Sequence, residues 1–344
     1  ALTLFDGRRW YNPLAGTTVL PGMPLQSGDP SQAGMVGFAL RRRERGEPRP
    51  SDVRPRWLAY SVYLEPISAE HLFLIPVAEG VAGRFRLLEM DGNDAVLLRD
   101  RSFAAMRYDA WSNVAEPTAE QLRRAPAEYP ARIGGILLSS YLQAPKLDPR
   151  VGELARQLTA SATNNFDRAR LLQEHLRANY GYTLDMPFTG DDPIAGFLFE
   201  QRRGHCEYFA SAMTIMLRLL GIPSRLVNGF LPGEYNDISG LYLVRASEAH
   251  SWVEAYFPAY GWVTFDPTPS AGTEARSSGN RLSLWLDALQ SFWVDWVVNY
   301  DFARQFTLAR NLDRASRRAT AQSQLYITKR YRALAGWVRG WHAA

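Results

Sequence analysis

Cys206 is the residue best placed for covalent chemistry, because it is the only cysteine among 344 residues and stands at the predicted start of a helix. A helix N-terminus carries roughly half a positive charge, which stabilises a thiolate. A lone thiol forms no internal disulfide, so Cys206 is either a small buried side chain or a nucleophile. Cys206, Phe209, Ala210 and Met213 recur at three- and four-residue steps, so the thiol begins the apolar face of its helix.

His250 and Asp266 lie on two consecutive predicted strands joined by the short loop 258–260. The alternation of apolar side chains favours a hairpin register that sets Val253 against Phe265. In that register Asp266 is the diagonal neighbour of His250 on the same face, at the roughly 7–8 Å that long side chains bridge. The register chosen by apolar pairing therefore brings an imidazole and a carboxylate together.

Together these residue types fit nucleophilic catalysis. His250 would form a thiolate–imidazolium pair with Cys206 and later protonate the leaving group. Asp266 would hold the ring and favour the tautomer with Nδ1–H toward the carboxylate. His205 is next to Cys206, but it would point roughly 100° round the helix, so we do not expect it to be the base.

A tetrahedral oxyanion needs hydrogen-bond donors in a dry site. The backbone N–H of Cys206, free at the helix start, is the first expected donor. Tyr182 and a backbone amide near Gln201 are candidates for the second.

Composition excludes several classes of function. The sequence has no HExxH or CxxC pattern, so we expect no metal site and no cofactor. The net charge is +4, and the densest basic run, residues 41–45, lacks interleaved aromatic residues. We therefore expect a solvated loop there and no nucleic-acid partner. No apolar stretch reaches the roughly 18 residues needed to span a bilayer.

Residues 1–138 are predicted to form an all-β domain. Short runs rich in Val, Leu, Tyr and Phe are separated by Gly, Pro, Asp or Asn, which favours a sandwich or barrel. The predicted strands are residues 56–65, 71–77, 84–90 and 95–100.

Residues 139–274 are predicted to form an α+β domain, with helices first and an antiparallel sheet after them. Asp148 and Asp192, each followed by a proline, are expected to cap helices. The predicted helices are residues 151–158, 166–180, 194–200 and 206–220, and the predicted strands are 224–231, 241–247, 250–257 and 262–266.

Residues 275–344 are predicted to be a helical C-terminal segment. Trp285, Trp293 and Trp296 recur at helical spacing with leucines between them, which is typical of a core or docking face.

The chain begins at Ala1 without a signal peptide, so we expect it to be the soluble part of a longer protein.

Four segments resemble the bacterial transglutaminase-like family. They are RRGHCEYFASA (202–212), LLGIPSR (219–225), SEAHSWVE (247–254) and GWVTFDPT (261–268). The family's Cys, His and Asp map onto Cys206, His250 and Asp266. The segments FDGRRW (5–10) and VNYD (298–301) make the membrane-anchored TgpA type the best match. His205 replaces an expected aromatic residue and Tyr208 an expected His, so the polarity around the nucleophile differs from the family pattern.

The resemblance implies a papain-like α+β core and thiol-dependent acyl transfer on protein carboxamides through a thioester. It also implies a protein or peptide substrate, a membrane anchor in the full-length protein and a periplasmic location. A cysteine peptidase or amidase would use the same three residues, because only the group that resolves the thioester differs. A non-catalytic envelope-binding module is a further alternative, against which the intact Cys206, His250 and Asp266 argue.

Overall fold

The N-terminal part of the chain folds into two antiparallel sheets that share one core. A computed structural model describes residues 1–12, 16–25, 34–40, 52–64, 70–99, 106–185, 192–236 and 241–269. The first ten strands are β1 (Leu4–Phe5), β2 (Trp10–Tyr11), β3 (Thr18–Val19), β4 (Gly22–Pro24), β5 (Val36–Ala39), β6 (Trp57–Leu64), β7 (Ala78–Gly83), β8 (Leu88–Met90), β9 (Val96–Leu98) and β10 (Met106–Asn113). One sheet has the order β4-β5-β7-β10-β6 and the other β3-β8-β9. Phe38, Val81 and Tyr108 of the first share a core with Leu88 and Val96 of the second.

The strand predicted at residues 71–77 is wrong. His71 makes a single bridge to Leu97, and Val77 turns the chain with a φ of 58° before β7 begins. The sequence pattern missed β7 because its glycines and alanines have low strand propensity. Gly80 is needed there, because a Cβ at this position would lie 2.0 Å from the Trp111 ring.

The first strands, β1 and β2, belong to a different core from the two sheets. Phe5 and Trp10 join the cluster formed by the later helices and sheet. Trp10 donates from Nε1 to Ser211 Oγ at 2.8 Å, and Leu2 makes a β-bridge to Leu226. The beginning of the chain is therefore part of the core around the Cys206 helix, although the sequence grouped it with the all-β region.

Helices dominate residues 119–219. They are α1 (Ala119–Arg123), α2 (Leu138–Leu142), α3 (Pro149–Leu158), α4 (Asn165–Asn179), α5 (Pro193–Ala195) and α6 (Cys206–Leu219), and the short strands between them are β11 (Arg132–Ile133), β12 (Ile136–Leu137), β13 (Gly181–Tyr182) and β14 (Arg203–Gly204). The predicted caps are confirmed, since Asp148 accepts from the Arg150 amide and Asp192 from the amides of Ile194 and Ala195.

The helix predicted at residues 194–200 differs in type from expectation. After α5 the chain continues as a π-helix, Gly196–Gln201. Arg202 ends it with a left-handed φ of 52°, and β14 pairs in parallel with β13 directly before Cys206. This irregular segment sets the direction from which the chain enters α6.

Helix α6 is buried on nearly all sides. Its apolar face, including Phe209, Met213 and Leu217, packs in the main core as predicted. Its polar side chains are also buried, and they lie at helical spacing as Glu207, Ser211, Thr214 and Arg218. The N-terminal segment covers part of this polar stripe, because Trp10 bonds to Ser211 and Thr3 to Arg218.

The Arg218 guanidinium shows how the stripe is accommodated. It donates to the carbonyl oxygens of Thr3 at 2.7 Å, Gln143 at 2.6 Å and Ser224 at 2.7 Å. It also lies 5.0 Å from the Trp10 ring centroid. Burial lowers the pKa of Arg218 to about 9, and the carbonyl bonds compensate for lost hydration.

The sheet that follows carries the predicted hairpin. Its order is β15 (Ser224–Phe230), β18 (Ala249–Phe257) and β19 (Gly261–Phe265). The predicted register is confirmed, with Val253 opposite Phe265 and Phe257 opposite Gly261.

The strand predicted at residues 241–247 is only partly confirmed. Between β15 and β18 in chain order, β16 (Glu234–Asn236) and β17 (Leu241–Leu243) form a separate hairpin. The 3-10 turn Ala246–Glu248 follows it, because the Glu248 carboxylate accepts from the Arg245 amide at 2.7 Å and closes the turn.

The helical segment predicted for 275–344 and the arginine run at 41–45 lie outside the described residues. Within the described ranges, no helix is both long and apolar enough to cross a membrane.

Replacing Trp10 with Ala should destabilise the protein by about 3–5 kcal/mol, because it empties a core position and leaves Ser211 without its donor. Urea unfolding would measure the change. Trp57→Ala is the matched control, because Trp57 is 59% exposed, and it should change stability by no more than about 0.5 kcal/mol. Equal losses for the two variants would contradict the shared core.

Candidate active site

Cys206 is the first residue of α6, with its side chain at the edge of the core. Cys206 is buried, and the N-cap residue His205 is extended and makes no side-chain capping bond. The first amide groups of the helix are therefore not satisfied by the cap side chain. Gly204 permits this tight entry, because a Cβ there would lie 3.1 Å from both Phe197 and Tyr208.

His250 and Asp266 meet as the hairpin register predicts. His250 donates from Nε2 to Oδ2 of Asp266 at 2.9 Å. The expectation that Nδ1–H faces the carboxylate is wrong, because the imidazole presents Nε2 to Asp266. Nδ1 is buried and makes no hydrogen bond of good geometry to any described residue. Because Nε2 is bonded to Asp266, Nδ1 is the ring nitrogen that remains available to the Cys206 thiol.

Asp266 follows β19, and its position is fixed by two neighbouring segments. Its amide donates to Oε1 of Gln173 on α4 at 3.0 Å. Its Oδ1 accepts from the Thr268 amide at 2.9 Å. These bonds hold the half-buried carboxylate in the orientation that meets His250.

The electrostatics favour a thiolate–imidazolium pair. Burial would raise the pKa of Cys206, but the neighbouring His205 and His250 outweigh it and hold this pKa well below its usual value. Burial would lower the pKa of His250, but Asp266 and Cys206 raise it to about 9. Burial opposes ionisation of Asp266 as well, yet His250 keeps its pKa below the ordinary value. The shifts agree in direction, so the charged forms stabilise one another.

His205 lies closer to the thiol than the sequence indicated. The expected direction assumed that His205 is in the helix, whereas it is the extended residue before it. Its buried ring packs edge-on against Tyr208, with centroids 4.7 Å apart, and it lowers the pKa of the Cys206 thiol. A second imidazole therefore borders the sulfur.

Comparison with known proteins agrees with this arrangement of residues. A family model described as the transglutaminase-like superfamily matches residues 152–267, which include Cys206, His250 and Asp266. Residues 152–267 are therefore a transglutaminase-like domain. This confirms the family predicted from the sequence.

Relatives of this superfamily include a protein-glutamine gamma-glutamyltransferase of Pseudomonas aeruginosa, 29% identical over 89% of this chain and 44% of the relative. YebA of Bacillus subtilis is 42% identical over 37% of this chain and 19% of its own length. The chain thus spans less than half the length of these curated relatives. The crystal structure of the periplasmic domain of TgpA from Pseudomonas aeruginosa superposes with a TM-score of 0.56 at 27% identity, over 81% of this chain and 83% of that one.

Glu207 is a buried carboxyl group next to Cys206. Burial, and after it the charge of Cys206, raises the pKa of Glu207 to about 8. Glu207 is therefore neutral at pH 7 and does not oppose the thiolate. The sequence pattern gave no sign of this, because it showed only an acidic residue in the first turn of a helix.

Trp252 is a further site residue that the sequence did not single out. Its ring stacks beside His250 at 6.4 Å with an interplanar angle of 23°. Gly229 makes room for it, because a Cβ there would lie 2.4 Å from the indole. The indole Nε1 is buried with no hydrogen-bond partner in the described part of the chain. Trp252 therefore forms an apolar wall beside the imidazole.

The second oxyanion donor stays a prediction. Tyr182 pairs with Gly204 two residues before Cys206, and Gln201 is the last residue of the π-helix.

Among the described residues, no group of three or more His, Cys, Asp or Glu side chains could hold a metal ion.

Replacing His250 with Ala should raise the pKa of Cys206, because a cationic partner of the thiolate is removed. The pH dependence of alkylation by iodoacetamide would measure it. In the wild type the thiolate should persist from well below pH 9 upward, while His250 loses its proton near pH 9. His71→Ala, at an exposed position in the N-terminal sheets, is the control. An unshifted profile in His250→Ala would contradict the ion pair.

Proposed function

We propose that this protein is a thiol-dependent acyltransferase acting on carboxamide groups of protein or peptide substrates. Cys206 is the nucleophile, His250 the acid and base, and Asp266 the residue that orients the imidazole. The observation that carries the proposal is the contact of His250 with Asp266 at 2.9 Å beside a buried thiol at a helix N-terminus. The match of residues 152–267 to the transglutaminase-like superfamily supports it.

In the first half-reaction the Cys206 thiolate attacks the carbon of a glutamine side-chain carboxamide. The carbonyl oxygen becomes an oxyanion, for which the Cys206 amide at the start of α6 is a suitable donor. The imidazolium of His250 gives its Nδ1 proton to the carboxamide nitrogen, the C–N bond breaks and ammonia leaves. A thioester on Cys206 and a neutral His250 remain.

In the second half-reaction a primary amine attacks the thioester carbon. His250 Nδ1 takes a proton from the amine, the C–S bond breaks and the Cys206 thiolate returns. Asp266 supports each step through Nε2, because its negative charge stabilises the imidazolium that forms. If water takes the place of the amine, the same residues hydrolyse the substrate.

We also propose that the domain works outside the cytoplasm as part of a membrane-anchored protein. The similarity to the periplasmic domain of TgpA supports this location. Protease protection of the full-length protein in intact and in opened cells would test it.

The activity test uses a glutamine-bearing protein such as casein and a fluorescent primary amine. We expect covalent incorporation of the amine without cleavage of the acceptor, and no incorporation by Cys206→Ala. Release of ammonia or shortened peptides without incorporation would favour an amidase or peptidase. Wild-type protein without either activity, on substrates that a known transglutaminase modifies in parallel, would favour the binding-module alternative.

Asp266→Asn should lower turnover by roughly 100- to 10,000-fold while the protein stays folded. The amide can still accept from the Thr268 amide, but it lacks the negative charge that stabilises imidazolium at Nε2. Turnover and the thermal unfolding midpoint should be measured together. Full activity in this variant would refute the role given to Asp266.

A further inference from the structure

Gln173 is the residue of α4 that reaches the segment carrying the proposed catalytic carboxylate. Helix α4 docks on the β18–β19 hairpin through Phe166, whose ring centroid lies 6.3 Å from that of Phe257 and 6.1 Å from that of Phe265. Gln173 follows seven residues later, so two helical turns place it on the same face of α4. Its Oε1 accepts from the Asp266 amide at 3.0 Å. The apolar contact between helix and hairpin is therefore extended by a polar contact at the end of β19.

This polar contact holds a residue that has already left the strand ladder. The last pair of β18 and β19 is Val253 opposite Phe265, and Asp266 follows it. The bond from the Thr268 amide to Oδ1 of Asp266 spans only two residues, so it fixes the carboxylate relative to its own short segment. The bond to Gln173 spans 93 residues and ties the same segment to α4. Gln173 therefore places the carboxylate relative to the rest of the domain.

The chemical type of the Gln173 side chain fits positioning better than packing. Gln173 is half-buried, and leucine would fill similar space with an equal or better helix propensity. A leucine would leave the Asp266 amide without its acceptor, which costs free energy when a donor is shielded from water. A backbone N–H requires an acceptor, so the Gln173 side chain presents Oε1 to the hairpin. The bond to Asp266 therefore explains why this position carries an amide.

We propose that Gln173 is a positioning residue, which fixes the Asp266 carboxylate against His250 by holding the Asp266 backbone amide. The inference rests on the proposed roles of Asp266 and His250 in acyl transfer. Without the acceptor, the segment after β19 keeps only its local bonds, and the carboxylate loses its fixed distance from Nε2. The imidazolium is then less stabilised in both half-reactions. A displacement of about 1 Å in a catalytic arrangement can cost roughly a hundredfold in rate.

The test compares Gln173 variants in turnover of casein with the fluorescent amine and in the titration of His250. Gln173→Leu removes the acceptor, Gln173→Glu keeps an acceptor, and Gln173→Asn keeps the amide on a shorter side chain. Gln157→Leu is the matched control, because Gln157 is an exposed residue of helix α3. Nitrogen-15 NMR of histidine-labelled protein follows the His250 ring, which the spectrum of His250→Ala assigns among the five histidines.

We expect Gln173→Leu to lower kcat by about ten- to a hundredfold with little change in KM, because only the carboxylate is displaced. In the wild type the pKa of His250 is about 9, since the contacts with Asp266 and Cys206 outweigh burial. It should fall by about one unit in Gln173→Leu, because Asp266 then supports the imidazolium less. Gln173→Glu should recover most of the turnover, Gln173→Asn should not, and Gln157→Leu should match the wild type.

The Asp266→Asn background separates positioning from a general effect on stability. Asparagine keeps the backbone N–H but lacks the charge, so a residue that acts by placing this charge has nothing left to place. Gln173→Leu should therefore lower turnover by no more than about twofold in that background. An equal fold-loss in both backgrounds would show that Gln173 acts independently of the carboxylate, and the inference would be wrong.

The outcomes also separate this inference from the proposed function. Wild-type turnover and an unshifted His250 pKa in Gln173→Leu would overturn the role of Gln173 and leave the triad intact. A wild-type protein without turnover would reject the proposed function, whereas the NMR titration would still decide whether Gln173 holds Asp266 against His250. If Gln173→Leu fails to fold, as circular dichroism would show, Gln173→Asn decides alone: a lowered His250 pKa supports the role and a wild-type pKa rejects it.

Discussion

The burial of α6 is the constraint on which the rest of the structure depends. Its apolar face alone would require one covering layer, which the β15–β18–β19 sheet and helices supply. Its polar stripe, from Glu207 to Arg218, requires a second layer that satisfies hydrogen bonds. The chain start supplies it, through Trp10 on Ser211 and the Thr3 carbonyl on Arg218. The thiol consequently sits at the end of a helix held from all sides, which fixes its position relative to the sheet.

Burying an isolated charge costs free energy, and this site compensates because its charged groups stabilise one another. Cys206, His250 and Asp266 each lose solvation, yet their pKa values move toward the charged forms because each supports the next. Glu207 lacks such support and stays neutral. The charges that stabilise one another in this site thus belong to Cys206, His250 and Asp266, the three residues that we propose take part in the reaction.

The parts predictable from sequence are those decided by local rules. The caps at Asp148 and Asp192 and the hairpin register follow from turn chemistry and from alternation over a few residues. What the sequence could not reveal depends on distant contacts. Strand β7 can pair with β10 because Gly80 leaves room for the Trp111 ring. The direction of His205 follows from β14, whose pairing with β13 fixes the backbone just before the helix.

The N-terminal sheets are coupled to the strand that carries His250. Arg225 on β15 lies opposite Glu254 on β18 and donates to it at 2.7 Å. Asp94, in the turn between β8 and β9, reaches the same guanidinium at 3.4 Å, and the Trp262 ring lies 4.3 Å from it. Glu254 lies on the same face of β18 as His250 and Trp252. The buried pair of Arg225 and Glu254 therefore fixes this face two alternate positions along the strand from His250. Loss of Arg225 would leave the Glu254 carboxylate buried and unpaired, at a cost of about 3–5 kcal/mol. The turn between β8 and β9 is therefore linked through Arg225 to the strand that carries His250.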